Sequence, residues 1–362
     1  MTGLAGLRVV VAGAGALGSA ISWRLQADGA RVVRLDGAAS DQSASGVAAG
    51  MLAPAFEALL DETSIGRYGL LQAARNEWPD FADGLRPFGG GIERSGALWV
   101  ADDASQEEVL RQLNAVGAEA QRLSAAQAGR ASPGLKAPVG AVQTPEDWRL
   151  DPQALLKALQ EAFLAEGGQV RAAGLRSIHD GAVGLSDGEG LEADAVVLAT
   201  GLAPEGVSRP PPELAWLQPI KGQIVRVLGA GPHDGPVIRA PGIYVTPGTK
   251  GPAIGATMEV GVADRRIDTE VRDRLMTLAK PLFPALAGAA VASAAGVRSS
   301  TPDGLPMVGP SRVPGVVLAV GARRNGWLLA PMIARAVAEG LAGADRWTPL
   351  FDPARFSRDL SA

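Results

Sequence analysis

The sequence predicts an α/β fold in which a nucleotide-type βαβ domain is joined to a second, β-rich α+β domain. Three observations carry that prediction. Val9-Val10-Val11-Ala12, a short unbroken apolar run, leads directly into Gly13-Ala14-Gly15-Ala16-Leu17-Gly18 and then into a helical pattern. A second apolar run, Arg31 to Leu35, ends in Asp36, roughly 20 residues after the glycines, where an acid grips a ribose hydroxyl. Nucleotide-type patterns then recur in the middle and at the end of the chain, separated by two β-rich blocks.

The glycine spacing has a physical reading at each position. Gly13 permits the tight strand-to-helix turn, Gly15 lets backbone approach a pyrophosphate, and Gly18 lets the helix pack on the sheet. The helix from Ala16 to Ala27 aims its free N–H groups and positive dipole end at the phosphates. From this unit alone the cofactor is either a nicotinamide or a flavin dinucleotide.

The next elements follow in order. Ser43 to Pro54 is rich in small residues and without period, as for a packed loop or backbone lying flat against a planar ligand. Helical spacing runs from Thr63 to Gly84, and Gly96 to Val100 is strand-like. Ser105 with Glu108 predicts a capping box ahead of Val109, Leu110 and Leu113. Asp151-Pro152 predicts the start of a helix using Leu155, Leu156, Leu159 and Phe163. Strands follow near Gln169 to Ala172 and Ala195 to Ala199. Pro210-Pro211-Pro212 marks a break, beyond which Gln223 to Leu228, Ile243 to Thr246 and Pro252 to Thr257 read as strands. A helix from Asp268 to Leu282, a strand from Val316 to Val320 and a helix from Trp327 to Leu341 complete the chain. The expected division is a discontinuous nucleotide domain (1–80, 145–215 and 296–362) and a substrate domain (81–144 and 216–295).

Composition narrows the function. The 362 residues suit about two domains. A net charge of −4 argues against a nucleic-acid or anionic-membrane surface. Cysteine is absent, which excludes disulfides, thiolate nucleophiles and Cys-metal sites. The two histidines, His179 and His233, lack acidic or histidine neighbours at metal-ligand spacing, so no metal is expected. Without a recognisable leader or membrane span, the expected location is cytoplasmic.

A second cluster lies near the C-terminus, Gly296 to Pro310 followed by Gly321 to Pro331. It holds Arg298, Arg323 and Arg324, and a guanidinium fork matches a carboxylate bidentately; surface ion pairs are the plainer use of such arginines. Taken with the N-terminal glycines, Ala48 to Pro54, Pro219-Ile220-Lys221-Gly222-Gln223 and Ile254-Gly255-Ala256-Thr257-Met258-Glu259, the pattern resembles the D-amino-acid oxidase superfamily over nearly the whole chain. Within it the glycine oxidase branch, associated with thiamine biosynthesis, is most similar.

That resemblance implies a Rossmann-like, glutathione-reductase-like FAD domain. Gly13, Gly15, Ala16, Leu17 and Gly18 would hold the pyrophosphate, and Asp36 with Gly37 the adenosine ribose. Val170 would touch adenine through its backbone. Ala44, Ser45, Ala49, Gly50 and Met51 would line the flavin, with Ala322, Arg323, Asn325, Gly326, Trp327 and Leu328 passing beneath it. Arg298 would bind the substrate carboxylate, Tyr244 would assist it, and Arg324 would contact substrate. Both histidines fall outside the flavin motifs, so FAD is expected to be non-covalent. The chain departs from the family at Ala322 and Arg323 and at Gly248, both near the substrate pocket that the resemblance implies, and at the bulky Trp327, which would either tighten a pocket or pack in the core.

The implied reaction is oxidation of a small amino acid, with O2 as acceptor, to an imino acid that hydrolyses to an oxo acid and ammonia. A homo-oligomer and a thiazole-synthase partner are also implied. Three readings stay open beside it: a D-amino-acid or proline-like imino-acid dehydrogenase of the same fold using another acceptor, a nicotinamide-dependent dehydrogenase, and a non-catalytic flavin-binding protein.

Overall fold

The computed structural model describes residues 3–37, 43–179, 181–204, 206–249, 251–343 and 347–356. Two sheets organise it. A six-stranded sheet runs in the order Met307–Pro310, Val316–Val320, Ala195–Leu198, Arg8–Ala12, Arg31–Leu35, Gln169–Arg171. All its pairings are parallel except that of the Met307–Pro310 edge strand. Alternation along the first strand explains its unbroken hydrophobicity. Val9 and Val11 face a core beneath the helices Ala16–Ala27, Pro152–Ala165 and Gly326–Leu341. Val10 and Ala12 face the opposite core, covered by the antiparallel strands Leu175–His179, Ala182–Leu185 and Gly190–Glu192. A strand buried on both faces has no polar side to show.

The second sheet has nine strands. Eight follow the order Glu259–Val260, Gln218–Val227, Ala253–Gly255, Ile243–Thr246, Val237–Ala240, Ala97–Trp99, Ala141–Thr144, Gln121–Leu123, and Val291–Ser300 pairs with Gln218–Val227 along ten residues. One face holds Leu98, Val225, Ile238, Val245 and Ile254 against Leu275 and Met276 of the helix Thr269–Ala279. The alternate residues, including Arg239 and Tyr244, are left for the other face. The division expected at 295/296 falls inside Val291–Ser300, and that strand pairs throughout with the second sheet.

The helix Ala16–Ala27 and the strands Arg31–Leu35, Ile243–Thr246 and Val316–Val320 span the residues their patterns predict. Other local readings need correction. Asp102, not Ser105, caps the helix Asp103–Ala115: its carboxylate accepts the Ser105 N–H at 2.8 Å. Ser105 therefore lies in the first turn, where its hydroxyl accepts from Trp99 Nε1 at 3.1 Å. The stretch 63–84 is two helices, Tyr68–Asn76 and Trp78–Leu85, with Pro79 seated where the second begins. The segment after Ser43 is not all loop, since Ala44–Val47 is a short helix capped by the Ser43 hydroxyl. Among the described residues no helix is long and apolar enough to cross a membrane.

Candidate active site

The glycine turn is built so that almost no side chain fits. Gly13 has φ +114°, and a Cβ there would meet the Ala199 carbonyl oxygen at 2.4 Å. A Cβ on Gly18 would meet the Gly13 carbonyl oxygen at 2.0 Å and the Ala199 side chain at 3.3 Å. The third glycine is thus the contact between helix, turn and neighbouring strand. Gly15 caps the first helix without a side-chain hydrogen bond, and Ser45 Oγ accepts the Ala16 N–H at 2.8 Å. Ala16, Leu17 and Gly18 follow as its first turn. This small-residue cradle at a helix N-terminus suits a pyrophosphate.

Asp36 lies just past the Arg31–Leu35 strand, its N–H donating to Arg171 O at 2.9 Å. Val170 pairs with Arg34 on the adjacent edge strand, at the same end of the sheet as Asp36. Gly37 packs close to the backbone of Gly174, which a Cβ would approach to 3.1 Å. Asp36, Gly37 and Val170 thus lie together at one end of the first sheet.

The segment Ala48 to Met51 and the start of the last helix meet at a cavity of about 310 Å³, which Ala44 and Ser45, earlier in the same segment, do not line. Ala49, Gly50, Met51, Asn325 and Trp327 line it. Gly50 has φ +78° and would place a Cβ 2.1 Å from the Leu150 carbonyl oxygen. Trp327 both lines the cavity and ties two segments together, its indole N–H donating to Ser45 O at 3.1 Å. Leu328 is buried, and its carbonyl accepts from Trp78 Nε1 at 3.2 Å. Gly326 opens the helix, with no side-chain cap ahead of it. Ala322 is buried, while Arg323 adopts φ +48°, an uncommon conformation for a residue with a Cβ. Its N–H donates to Ser299 O at 2.8 Å and its guanidinium pairs with buried Asp61. The Arg323 side chain is therefore turned to Asp61, and Arg323 does not line the cavity.

The rest of the cavity wall carries charge: Arg239, Arg298, Arg324 and Glu57 all line it. Arg298 sits opposite Ile220, and its guanidinium lies over Gly222, where a Cβ would come within 2.4 Å of it. Its Nη1 donates to Met258 Sδ at 3.4 Å. Among the described residues no carboxylate lies within ion-pair distance of it. Burial pulls the affinity of Arg298 for its proton down. Tyr244 is a sheet neighbour of both Arg239 and Gly255. A Cβ on Gly255 would meet the Tyr244 hydroxyl at 2.6 Å, so glycine there makes room for it. Burial pushes the Tyr244 phenol up, against the pull of Arg298, Arg324 and Arg239.

Arg324 reaches the cavity but is held by a residue that sequence spacing does not reveal. Its Nη2 donates to Glu57 Oε1 at 3.0 Å, with Nε 3.0 Å from Oε2. Arg239 Nη2 donates to the same Oε1 at 3.0 Å. Burial pushes the Glu57 carboxyl up, but Arg324 and Arg239 together outweigh it and hold the group below the usual carboxylate range. Glu57 is carried by the helix Pro54–Leu60, whose Ala55 and Phe56 N–H groups donate to Asp147 at 2.8 and 3.2 Å. Burial pushes the Asp147 carboxyl up to about 6 despite Arg239 and those two donors. Glu57, Arg239, Gly222 and Gly255 are thus site residues without an assigned role at the sequence level. Gly222 and Gly255 stand inside motifs noted there. Glu57 and Arg239 lie 182 residues apart, so no local pattern joins them.

His179 ends a strand of the antiparallel sheet and His233 is an exposed loop residue, and neither lines the cavity.

Residues 8–340 match the family model described as FAD dependent oxidoreductase. The chain is 29% identical to the glycine oxidase of Pseudomonas aeruginosa, over 97% of this chain and 98% of that one. It is 30% identical to the glycine oxidase of Geobacillus kaustophilus, over 96% of each. The crystal structure of glycine oxidase from Geobacillus kaustophilus superposes with a TM-score of 0.80, covering 97% of this chain and 98% of that one. The chain is also 30% identical to the bifunctional protein ThiO/ThiG of Trichormus variabilis, spanning 55% of its length. With the glycine cradle and Asp36 at one end of the first sheet and the cavity between the sheets, the chain belongs to the FAD dependent oxidoreductase family and is an amino-acid oxidoreductase that uses FAD.

Proposed function

We propose that the protein oxidises glycine or another small amino acid, such as sarcosine or a D-amino acid, with Arg298 and Tyr244 holding the substrate carboxylate. The observation that carries this reading is Arg298 itself. It is a guanidinium lining the cavity, with no carboxylate of the described chain within ion-pair distance. A cation left in that state calls for an anionic ligand. Pairing fixes one end of the amino acid, and Tyr244 adds a hydroxyl donor to the same carboxylate. Holding the substrate at two atoms turns the Cα–H toward the wall formed by Ala49–Met51 and Asn325–Trp327.

When bound, FAD would supply a two-electron acceptor for the hydride leaving Cα, with O2 as final acceptor giving hydrogen peroxide, while the imino acid hydrolyses to oxo acid and ammonia. The only carboxylate lining the cavity among the described residues, Glu57, is ionised and bound to two arginines, so it is a poor proton acceptor. The amine accordingly enters neutral, and no side-chain base is assigned.

FAD is held without a covalent bond, because the chain has no cysteine and neither histidine reaches the cavity. We extend the proposal to thiamine biosynthesis beside a thiazole-forming partner, supported by the relative in which ThiO and ThiG are joined in one chain.

Anaerobic addition of glycine, sarcosine, D-alanine and D-proline in turn to the purified yellow protein tests the reading. At least one is expected to bleach the flavin, with peroxide released when air is admitted. Failure of all four contradicts the substrate class, and bleaching without peroxide contradicts the use of O2.

A further inference from the structure

Charge does not balance at the cavity wall. Arg239, Arg298 and Arg324 line it against one carboxylate, Glu57. The neighbouring pair Arg323–Asp61 is balanced and contributes no net charge. A small amino acid brings one carboxylate, which Arg298 takes. That leaves the Arg239–Glu57–Arg324 triad with two guanidiniums on one carboxylate at the cavity wall; the other acid in the field of Arg239, Asp147, lies behind it outside the lining, and burial pushes its carboxyl up to about 6.

The triad is arranged unevenly. Glu57 and Arg239 side chains are only 5% and 4% exposed, whereas Arg324 is 23% exposed. Both contacts from Arg324 to Glu57 use its Nε and Nη2 edge. The Nη1 end makes no hydrogen bond among the described residues, and a guanidinium carries five N–H donors in a fixed fork. Arg239 adds charge from behind, and its buried Nε is without a partner. Tyr244 lines the same cavity as all three arginines and is the sheet partner of Arg239.

We infer that the free end of Arg324 is a second carboxylate subsite, and that the cavity takes amino acids bearing a second carboxylate in preference to simple ones. This rests on the assignment of Arg298 to the first carboxylate. The α-carboxylate pairs with Arg298 and Tyr244, while the distal carboxylate completes the charge of the Arg239–Glu57–Arg324 triad. Glu57 orients Arg324 and limits the subsite to one anion.

Titration calorimetry of the flavin-loaded protein with sodium acetate and sodium malonate tests the inference without turnover. Malonate is expected to bind at least about tenfold more tightly than acetate, as one added charge-assisted pair implies. Arg324→Ala should bring malonate down to the affinity of acetate while leaving acetate within about threefold. Should that variant fail to fold, Glu57→Gln serves instead: by removing the competing carboxylate it should tighten malonate further. Equal binding of the two anions by the wild-type protein overturns the second subsite and leaves the Arg298 assignment standing. Absence of binding by either anion overturns both.

Discussion

The two ends of the ligand site are built by opposite means. At the nucleotide end, backbone does the work: Gly13, Gly15 and Gly18 bring peptide groups to a helix N-terminus, and a side chain on Gly13 or Gly18 collides with a carbonyl while one on Gly15 would crowd the Ser45 hydroxyl. At the substrate end, side chains do it: Arg298, Arg324, Glu57 and the hairpin pair Arg239 and Tyr244 arrive from four separate stretches of chain. Tight backbone packing tolerates no added atom, whereas a charge cluster tolerates change according to which partner is removed. The two ends should therefore fail differently.

The largest effect is expected at the turn. Gly18→Ala forces a methyl against the Gly13 carbonyl oxygen at 2.0 Å. It should cost at least about 2 kcal/mol and yield protein depleted of flavin, read from the ratio of visible to ultraviolet absorbance. A fully yellow variant of normal melting temperature would show that the turn is looser than described.

Gly222→Val sharpens the contrast from the other side. Its side chain occupies the space of the Arg298 guanidinium, far from the glycine turn. Flavin content should stay within about a quarter of wild type, while kcat/KM falls at least about tenfold, more than 1.4 kcal/mol of transition-state binding. Loss of flavin together with activity would erase the distinction between the ends.

A smaller effect is expected from pH. Glu57 and Asp61 are both held below the ordinary carboxylate range, burial being outweighed by Arg324 and Arg239 in one case and by Arg323 in the other. A depressed carboxyl contributes stability that is complete above its unfolded value, about 4, and is lost as pH falls through the folded one. The melting temperature should drop as pH is lowered below about 4.5, and the drop should be shallower in Glu57→Gln. Parallel curves for the two proteins would remove Glu57 from the account.

The same contrast explains what the sequence discloses. The Gly13–Gly18 turn and Asp36 are legible because the chemistry of a nucleotide cradle is local: strand, turn, helix and acid follow within one βαβ unit. Arg298 and Tyr244 are legible through the resemblance, Arg298 within the stretch Gly296 to Pro310 and Tyr244 on the predicted strand Ile243 to Thr246. Glu57 is not, because its meaning comes from Arg239 and Arg324, both distant in sequence. In the chain it is one acid in the apolar stretch Pro54–Leu60. The same distance hides Arg239, whose strand Val237–Ala240 lies outside the stretches that read as strands. Ser105 shows the limit of local patterns as well. The spacing to Glu108 suggests a cap, yet Asp102 three residues earlier wins because its carboxylate reaches the Ser105 N–H.

The central claim is that Arg298 receives the substrate carboxylate. The most direct measurement is anaerobic rapid-mixing reduction of the flavin in the wild type and in Arg298→Ala, over a range of concentrations of the best amino acid. The account predicts unchanged flavin content and an apparent Kd raised at least about tenfold, the loss of one charge-assisted pair. An Arg298→Ala protein that binds and reduces with wild-type constants would contradict it.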